Sequence, residues 1–166
     1  MERFENIKNI LLDHFGDEVI LGEDPNCTPK ALLLSSDKIE DVCIELFSNK
    51  STYFDMLSCI TGIDGGPEKE IMEVVYNLYS IPYEFSLTLK VELPRDDPKL
   101  PTVSNIWQTA NWHERETFDL IGIQFIGHSD LRRILMPADW EGHPLQKDYV
   151  EPEHYRGMET VRNEND

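Results

Sequence analysis

Three runs rich in β-branched and aromatic residues, Tyr53–Asp64, Ile71–Ile81 and Phe85–Leu93, follow one another closely near the middle of the chain, and together they leave room for little but a sheet. Asp64-Gly65-Gly66-Pro67 is turn chemistry that closes a hairpin between the first two. Ile81-Pro82-Tyr83 separates the second from the third, because proline cannot donate to a ladder. An antiparallel meander is predicted. In its middle run Val74, Tyr76 and Leu78 alternate with Glu73, Val75, Asn77 and Tyr79, so one face must lie against something apolar.

The preceding residues supply that cover. Phe4, Ile7, Leu11 and Phe15 fall at helical spacing and Gly16 stands where a C-terminal cap ends a helix, which predicts a helix over about residues 2–15. Glu18–Leu21 and Lys30–Ser35, separated by the loop Gly22–Thr28, read as two short strands. Asp37 is then the expected N-cap of a second helix over about 37–48, with Ile39, Val42, Cys43 and Leu46 as its inward stripe. The order α-β-β-α-β-β-β defines an α+β fold, a two-layer sandwich spanning residues 1–93. Pro94–Pro101, with three prolines and several charges, predicts a stiff linker over 94–102. Residues 103–122 then hold two short helices: Ser104 caps one carrying Ile106 and Trp107, and the other runs from about Asn111 to Ile121, stopped by Gly122. Beyond that point apolar residues lose any period and prolines recur at 137, 144 and 152, so 123–166 is expected to be an extended arm that lies on a partner.

At 166 residues the chain is long enough for one domain with a real core plus an extension. Fifteen Lys and Arg against 32 Asp and Glu give a net charge of −17, which repels phosphates and disfavours nucleic acid and anionic headgroups. A basic partner or simple solubility fits better. No apolar run reaches the ~18–20 residues of a membrane span, and Met1-Glu2-Arg3-Phe4-Glu5 lacks the basic and apolar regions of a signal peptide, so a cytoplasmic chain with no direct membrane insertion is expected. Cys27, Cys43 and Cys59 are three in number and sixteen residues apart, which cannot assemble an iron–sulfur or structural zinc site; free thiols are expected.

The densest chemistry lies in Glu114-Arg115-Glu116-Thr117-Phe118-Asp119-Leu120-Ile121, in His128 with Arg132-Arg133-Ile134-Leu135, and in Asp139-Trp140-Glu141-Gly142-His143-Pro144-Leu145. On a helix Arg115 and Asp119 are i,i+4 neighbours, and Glu116 and Asp119 are i,i+3 neighbours. If solvated, they form a local ion pair worth about 0.3–0.5 kcal/mol. If covered, as the adjoining Trp112 and Phe118 suggest, they need partners, and Arg132 and Arg133 are nearest in sequence. A third reading has two acids a turn apart doing general acid/base work, yet no nucleophile with a base, glycine-rich phosphate loop or His-Glu-x-x-His motif accompanies them. His128 after Gly127 and His143 between Gly142 and Pro144 read as turn histidines bonded to backbone or carboxylate, and a metal role for these two or for His113 is the minor alternative. Trp107, Trp112 and Trp140 serve either as core or as interface anchors.

The same residues carry a resemblance. Glu-Arg-Glu followed by Asp119, His128 and Arg132-Arg133, preceded by Trp107 and Trp112 and extended by Asp139–Leu145 with Lys147-Asp148-Tyr149, resembles the signature of the C-type subunit of NADH-quinone oxidoreductase, the 30 kDa-type subunit of respiratory complex I. The match covers roughly residues 104–149; Gln146 stands where arginine is usual in the family and Val150 where proline is common. Because the chain stops at Asp166, the resemblance implies the form not fused to the neighbouring hydrogenase-like D-type subunit. It further implies a hetero-oligomeric scaffold on the cytoplasmic face of the bacterial inner membrane, contacting the D-type subunit with the B- and I-type subunits nearby. By the same resemblance the chain bears no cofactor, FMN and Fe-S clusters residing in other subunits, and no catalytic, cofactor-binding or metal-binding residue. Trp107, Trp112, Glu114, Arg115, Glu116, Asp119, His128, Arg132, Arg133, Trp140, Gly142, His143, Pro144, Lys147, Asp148 and Tyr149 are its interface or fold-locking positions. A corresponding component of a membrane-bound hydrogenase and a free-standing acidic binding module are the alternatives.

Overall fold

The computed structural model describes residues 2–160; residues 161–166, the end of the expected arm, lie outside the described residues. Helix α1 (Glu2–Phe15) turns Phe4, Ile7 and Leu11 inward. Strands β1 (Ile20–Asp24) and β2 (Ala31–Leu34) lead to α2 (Ile39–Ser48), which buries Ile39, Val42, Cys43 and Leu46. The meander follows as β3 (Met56–Asp64), β4 (Ile71–Ser80) and β5 (Phe85–Pro94). These strands form one sheet of order β1-β2-β5-β4-β3, antiparallel except where β2 lies parallel to β5. A parallel neighbour needs a long crossover, and α2 with the first two meander strands provides it. Met72, Val74, Tyr76 and Leu78 face the core as their alternation requires, in one cluster with the inward faces of α1 and α2. The α+β sandwich expected from the sequence is the fold observed.

Local differences have local causes. The first strand begins at Ile20, two residues later than expected, after a 3-10 turn over Asp17–Val19 that buries Val19, and it extends through Gly22 to Asp24. Its register shifts between Ile20 and Gly22, and its terminal charges are neutralised by the Lys8–Glu23 and Lys90–Asp24 ion pairs. Asp37 does not cap α2. It sits inside a 3-10 turn, Ser36–Lys38, and accepts a hydrogen bond from Ser35 Oγ, a local partner that competes with the helix amides.

The expected linker contains a strand. Lys99–Pro101 (β6) pairs in parallel with Gln124–Ile126 (β7), and Leu100 is fully buried. Ser104 starts no helix; Ile106 and Trp107 lie in a turn whose amides donate to Val103 O at 3.0 and 3.1 Å. Helix α3 (Ala110–Ile121) then packs on β3 so closely that a Cβ on Gly62 would stand 2.6 Å from Thr117 Cγ2. Gly122 ends the helix in the left-handed region, φ 94°, its N–H reaching Phe118 O and Thr117 O. The beginning of the arm belongs to the core, since Ile123 and Phe125 are buried in the same cluster as Leu100, Val103 and Trp107. After β7 the only regular structure among the described residues is a two-residue ladder of β8 (His154–Tyr155) with β9 (Met158–Glu159). Also among the described residues, no helix is long and apolar enough to cross a membrane.

Candidate functional site

The far end of α3 carries a carboxylate with no exposure to water. Asp119 Oδ2 accepts three successive backbone amides, Ile134 at 2.9 Å, Leu135 at 2.7 Å and Met136 at 2.8 Å, while Oδ1 accepts from Arg133 Nη1 at 2.7 Å. Burial alone would raise its pKa. The Met136 amide, the Arg133 guanidinium and the Leu135 and Ile134 amides outweigh that and hold it below the ordinary carboxylate range. Arg133 is itself shared: Nη1 also donates to Asp119 O at 3.1 Å and Nη2 to Gly142 O at 2.8 Å. His143 Nδ1 lies 2.9 Å from Asp119 O, which fixes the proton on that nitrogen, and its ring packs over Gly122 and edge-on to Phe118. Leu145 N donates to Leu120 O at 2.9 Å and Gln146 Nε2 to Ile121 O at 2.7 Å, satisfying the last carbonyls of the helix.

A second buried aspartate holds the next stretch of the arm. Asp64, at the end of β3, receives Arg95 Nε at 2.8 Å and Nη2 at 3.1 Å in a two-pronged pair, Gly66 N at 2.9 Å and Lys147 N at 2.8 Å. Arg95, which also bonds Asp148, keeps the Asp64 carboxyl well below its usual range despite burial, helped by the amides of Lys147 and Gly66. Between these anchors Trp140 Nε1 donates to Tyr149 Oη at 2.9 Å, and Trp140 packs on Tyr155 at 5.0 Å. Backbone and charged groups therefore fasten the arm beyond β7, where Leu131 also packs against the core. Leu135 is 60% exposed and Leu145 59%.

Glu114 is buried at the other end of α3, where it accepts from Thr102 Oγ1 and, at 2.8 Å, from Val103 N, tying the end of β6 to the helix. Burial pushes its carboxyl up to about 7, against the opposing pull of those two donors. His128 Nδ1 accepts from Asp130 N at 3.0 Å, so the proton sits on Nε2, which faces Asn111 O at 3.3 Å and Glu114 Oε2 at 3.9 Å.

The signature residues thus divide. Asp119, Arg133, Gly142, His143, Lys147, Asp148, Trp140 and Tyr149 converge on the arm, with Pro144 half-buried beside them. Arg115 and Asp119 do not pair: Arg115 Nε reaches Arg132 O at 3.2 Å and its guanidinium lies over Trp112. Arg132 points outward, 73% exposed and paired with Asp130, and Glu116 is exposed. Trp107 is a core residue, its Nε1 donating to Phe54 O at 3.0 Å and its ring edge-on to Phe47, whereas Trp112 is 65% exposed. Sequence reasoning missed Asp64 and Arg95. The first looked like turn chemistry and the second like a linker charge, and only the 83-residue separation closed by Lys147 reveals their role. Among the described residues no group of three or more His, Cys, Asp or Glu is placed to hold a metal.

An α+β domain that fixes a C-terminal arm on two buried aspartates is the class these features define. Residues 32–155 match the family model described as the respiratory-chain NADH dehydrogenase 30 Kd subunit, and the chain belongs to that family. It is 38% identical over 153 residues to the C-type subunit of NADH-quinone oxidoreductase from Chlorobium phaeobacteroides, with 92% of each chain covered. It is 48% identical over 118 residues to the corresponding C-type subunit from Geobacter sulfurreducens, covering 70% of this chain and 71% of that one. Among solved structures, the trypsin-resistant fragment (1–134) of Nqo5 superposes with a TM-score of 0.62 at 30% identity, covering 78% of this chain and 99% of the fragment. A chain of the membrane-bound sulfane sulfur reductase, an archaeal respiratory membrane complex, shares the fold at a TM-score of 0.69 and 24% identity, covering 89% and 86% of the two chains.

Proposed function

We propose that this chain is a cofactor-free scaffold in the peripheral arm of a proton-translocating NADH-quinone oxidoreductase. It does not turn over alone; electrons pass from NADH through FMN and iron–sulfur clusters of other subunits to quinone. Its partners are the hydrogenase-like D-type subunit, with the B- and I-type subunits nearby, at the cytoplasmic face of a bacterial inner membrane. The observation that carries this reading is Asp119: one buried carboxylate grips three consecutive amides and an arginine, presenting Leu135 to solvent on a fixed backbone. A backbone held open around exposed leucines suits a surface that is covered by another protein. The carboxylates of Asp64 and Asp119 are occupied by the chain's own donors, which supports a structural use for them.

Affinity capture of the tagged chain from detergent-solubilised membranes, with its companions identified by mass, tests the assignment. Recovery of D-, B- and I-type subunits with NADH-quinone activity is expected. Capture of hydrogenase components, or of the chain alone, would reject it. Stoichiometric iron or flavin in the purified single chain would reject the cofactor-free role.

A further inference from the structure

In a chain with 32 acidic and 15 basic residues, a cation without a carboxylate partner needs an explanation, and Arg115 has none among the described residues. The acid one turn further along α3, Asp119, is taken by Arg133, and Asp130, two residues before the carbonyl that Arg115 touches, is taken by Arg132. Glu116 follows Arg115 directly, and successive helix positions do not face each other. What Arg115 does contact fixes its direction. Nε donates to Arg132 O at 3.2 Å and the guanidinium carbon stands 5.5 Å from the centre of the Trp112 ring, while both Nη groups have no protein acceptor among the described residues. Trp112 is unusual in the same way. Trp107 and Trp140 place their indole N–H on Phe54 O and Tyr149 Oη, whereas Trp112, the bulkiest of the exposed apolar side chains, has no acceptor for its own among the described residues.

We propose that Trp112 and Arg115 form a docking anchor for a neighbouring subunit, which sets an aspartate or glutamate on the two Nη groups of Arg115 and an apolar side chain against the Trp112 ring. A guanidinium fork accepts a carboxylate through two parallel bonds, and tryptophan and arginine are the side chains that carry most interface energy. The arm prolongs this surface, because the Leu135 amide is bonded to Asp119, about 10 Å along the helix axis from Trp112, and the Leu135 side chain is exposed. Charge permits the approach. Residues 110–136 hold four acids and three arginines, so the excess of acid that favours a basic partner elsewhere on the chain is absent here. A second copy of this chain is a poor occupant, since each carries −17. The contact rests on the scaffold role proposed above and gives one partner its chemistry.

Hydroxyl-radical footprinting, read by peptide mass and compared between the isolated full chain and the captured complex, tests it. Trp112 should be oxidised readily in the isolated chain and at least about tenfold more slowly in the complex. Trp112→Ala and Arg115→Glu should each weaken capture by about tenfold or more, with melting of the isolated Trp112→Ala chain unchanged, and Arg115→Lys, which keeps the charge without the fork, should weaken it less. In the Arg115→Lys complex a carbodiimide, which condenses an amine with a touching carboxylate and removes water, should couple position 115 to an aspartate or glutamate of another subunit. If the complex is captured but Trp112 is oxidised as fast as in isolation, the anchor is not covered and the scaffold role stands. If no complex is captured, both fail. Coupling only to this chain's own acids or to a second copy would overturn the proposal, and Arg115→Glu captured as well as wild type would remove the carboxylate partner.

Discussion

Asp119 and Glu114 sit five residues apart on one helix and are used in opposite ways. Asp119 gathers three amides and an arginine, so its ionised form is the stable one; Glu114 has two donors and, among the described residues, no cation in bonding contact, so burial dominates. Replacing Asp119 by alanine strands Arg133 and three amides, and we expect a loss of about 3–5 kcal/mol in urea unfolding. Arg133→Ala leaves the carboxylate its amides and should cost less, about 1–3 kcal/mol, while Arg132→Ala, on an exposed pair, should cost under about 1 kcal/mol. Equal losses for Asp119 and Arg132 would mean that the arm is not held here. The pH dependence separates the two acids. Glu114 in the folded state keeps its proton up to about pH 7 against 4.5 for an ordinary glutamate, so the folded chain binds more protons in that window and stability falls as pH rises through it. The difference is about 3 kcal/mol between the ends of the window. Asp119 acts in the other direction, its contribution present above about pH 4 and lost in acid. Glu114→Gln should therefore flatten the stability profile between about pH 5 and 7 and be the more stable form above it. A slope unchanged by the substitution would show that Glu114 is ionised throughout.

The meander was legible because ten-residue strands with alternating burial imprint a period on the sequence, and α1, α2 and α3 because their apolar spacing repeats over about three turns. β6 and β7 were not, since three residues are too few to show a period and Pro101 argues against a strand. Their pairing is parallel and depends on α3 to bring them together, which no local signal encodes. At the site, the Asp119 cluster was visible as unusual chemistry, but Arg133 was separable from Arg132 only once the turn at 130–133 fixed which one faces inward. The arm's attachment by main-chain bonds was equally hidden, because amides carry no side-chain signature. An arm held this way should be the first element to open. Trypsin is expected to cut the isolated chain at Arg132, Lys147 or Arg156 while sparing the core before Phe125, and the assembled complex should protect it through about Tyr149. Asp64→Ala should speed cleavage at Lys147 before that at Arg132; resistance of the whole arm in the isolated chain would show it to be part of the folded core.

The core does not stop where the main sheet ends. Leu100, Val103, Trp107, Ala110, Ile121, Ile123 and Phe125 are all buried in the cluster shared with α1, α2 and the sheet, and Trp107 is bonded to Phe54 O and packed against Phe47. Removing those seven side chains from a folded chain forfeits burial worth on the order of 10 kcal/mol. That is comparable to the entire stability of an ordinary domain, ~5–15 kcal/mol. Residues 2–126 should accordingly unfold as one unit, with urea transitions by tryptophan fluorescence and far-ultraviolet dichroism coinciding. A fragment ending at Leu93 retains nearly the whole five-stranded sheet and both N-terminal helices but leaves Phe47 and Phe54 without the Trp107 contacts, and it should not fold cooperatively. A fragment ending at Met136 keeps the Asp119 cluster as well as β7, and should fold with the cooperativity of the full chain. If the shorter fragment instead shows a sharp urea transition and slow amides in β4 and β5, residues 94–126 are an appendage to an independent sandwich, and the boundary of the domain lies at the end of the meander.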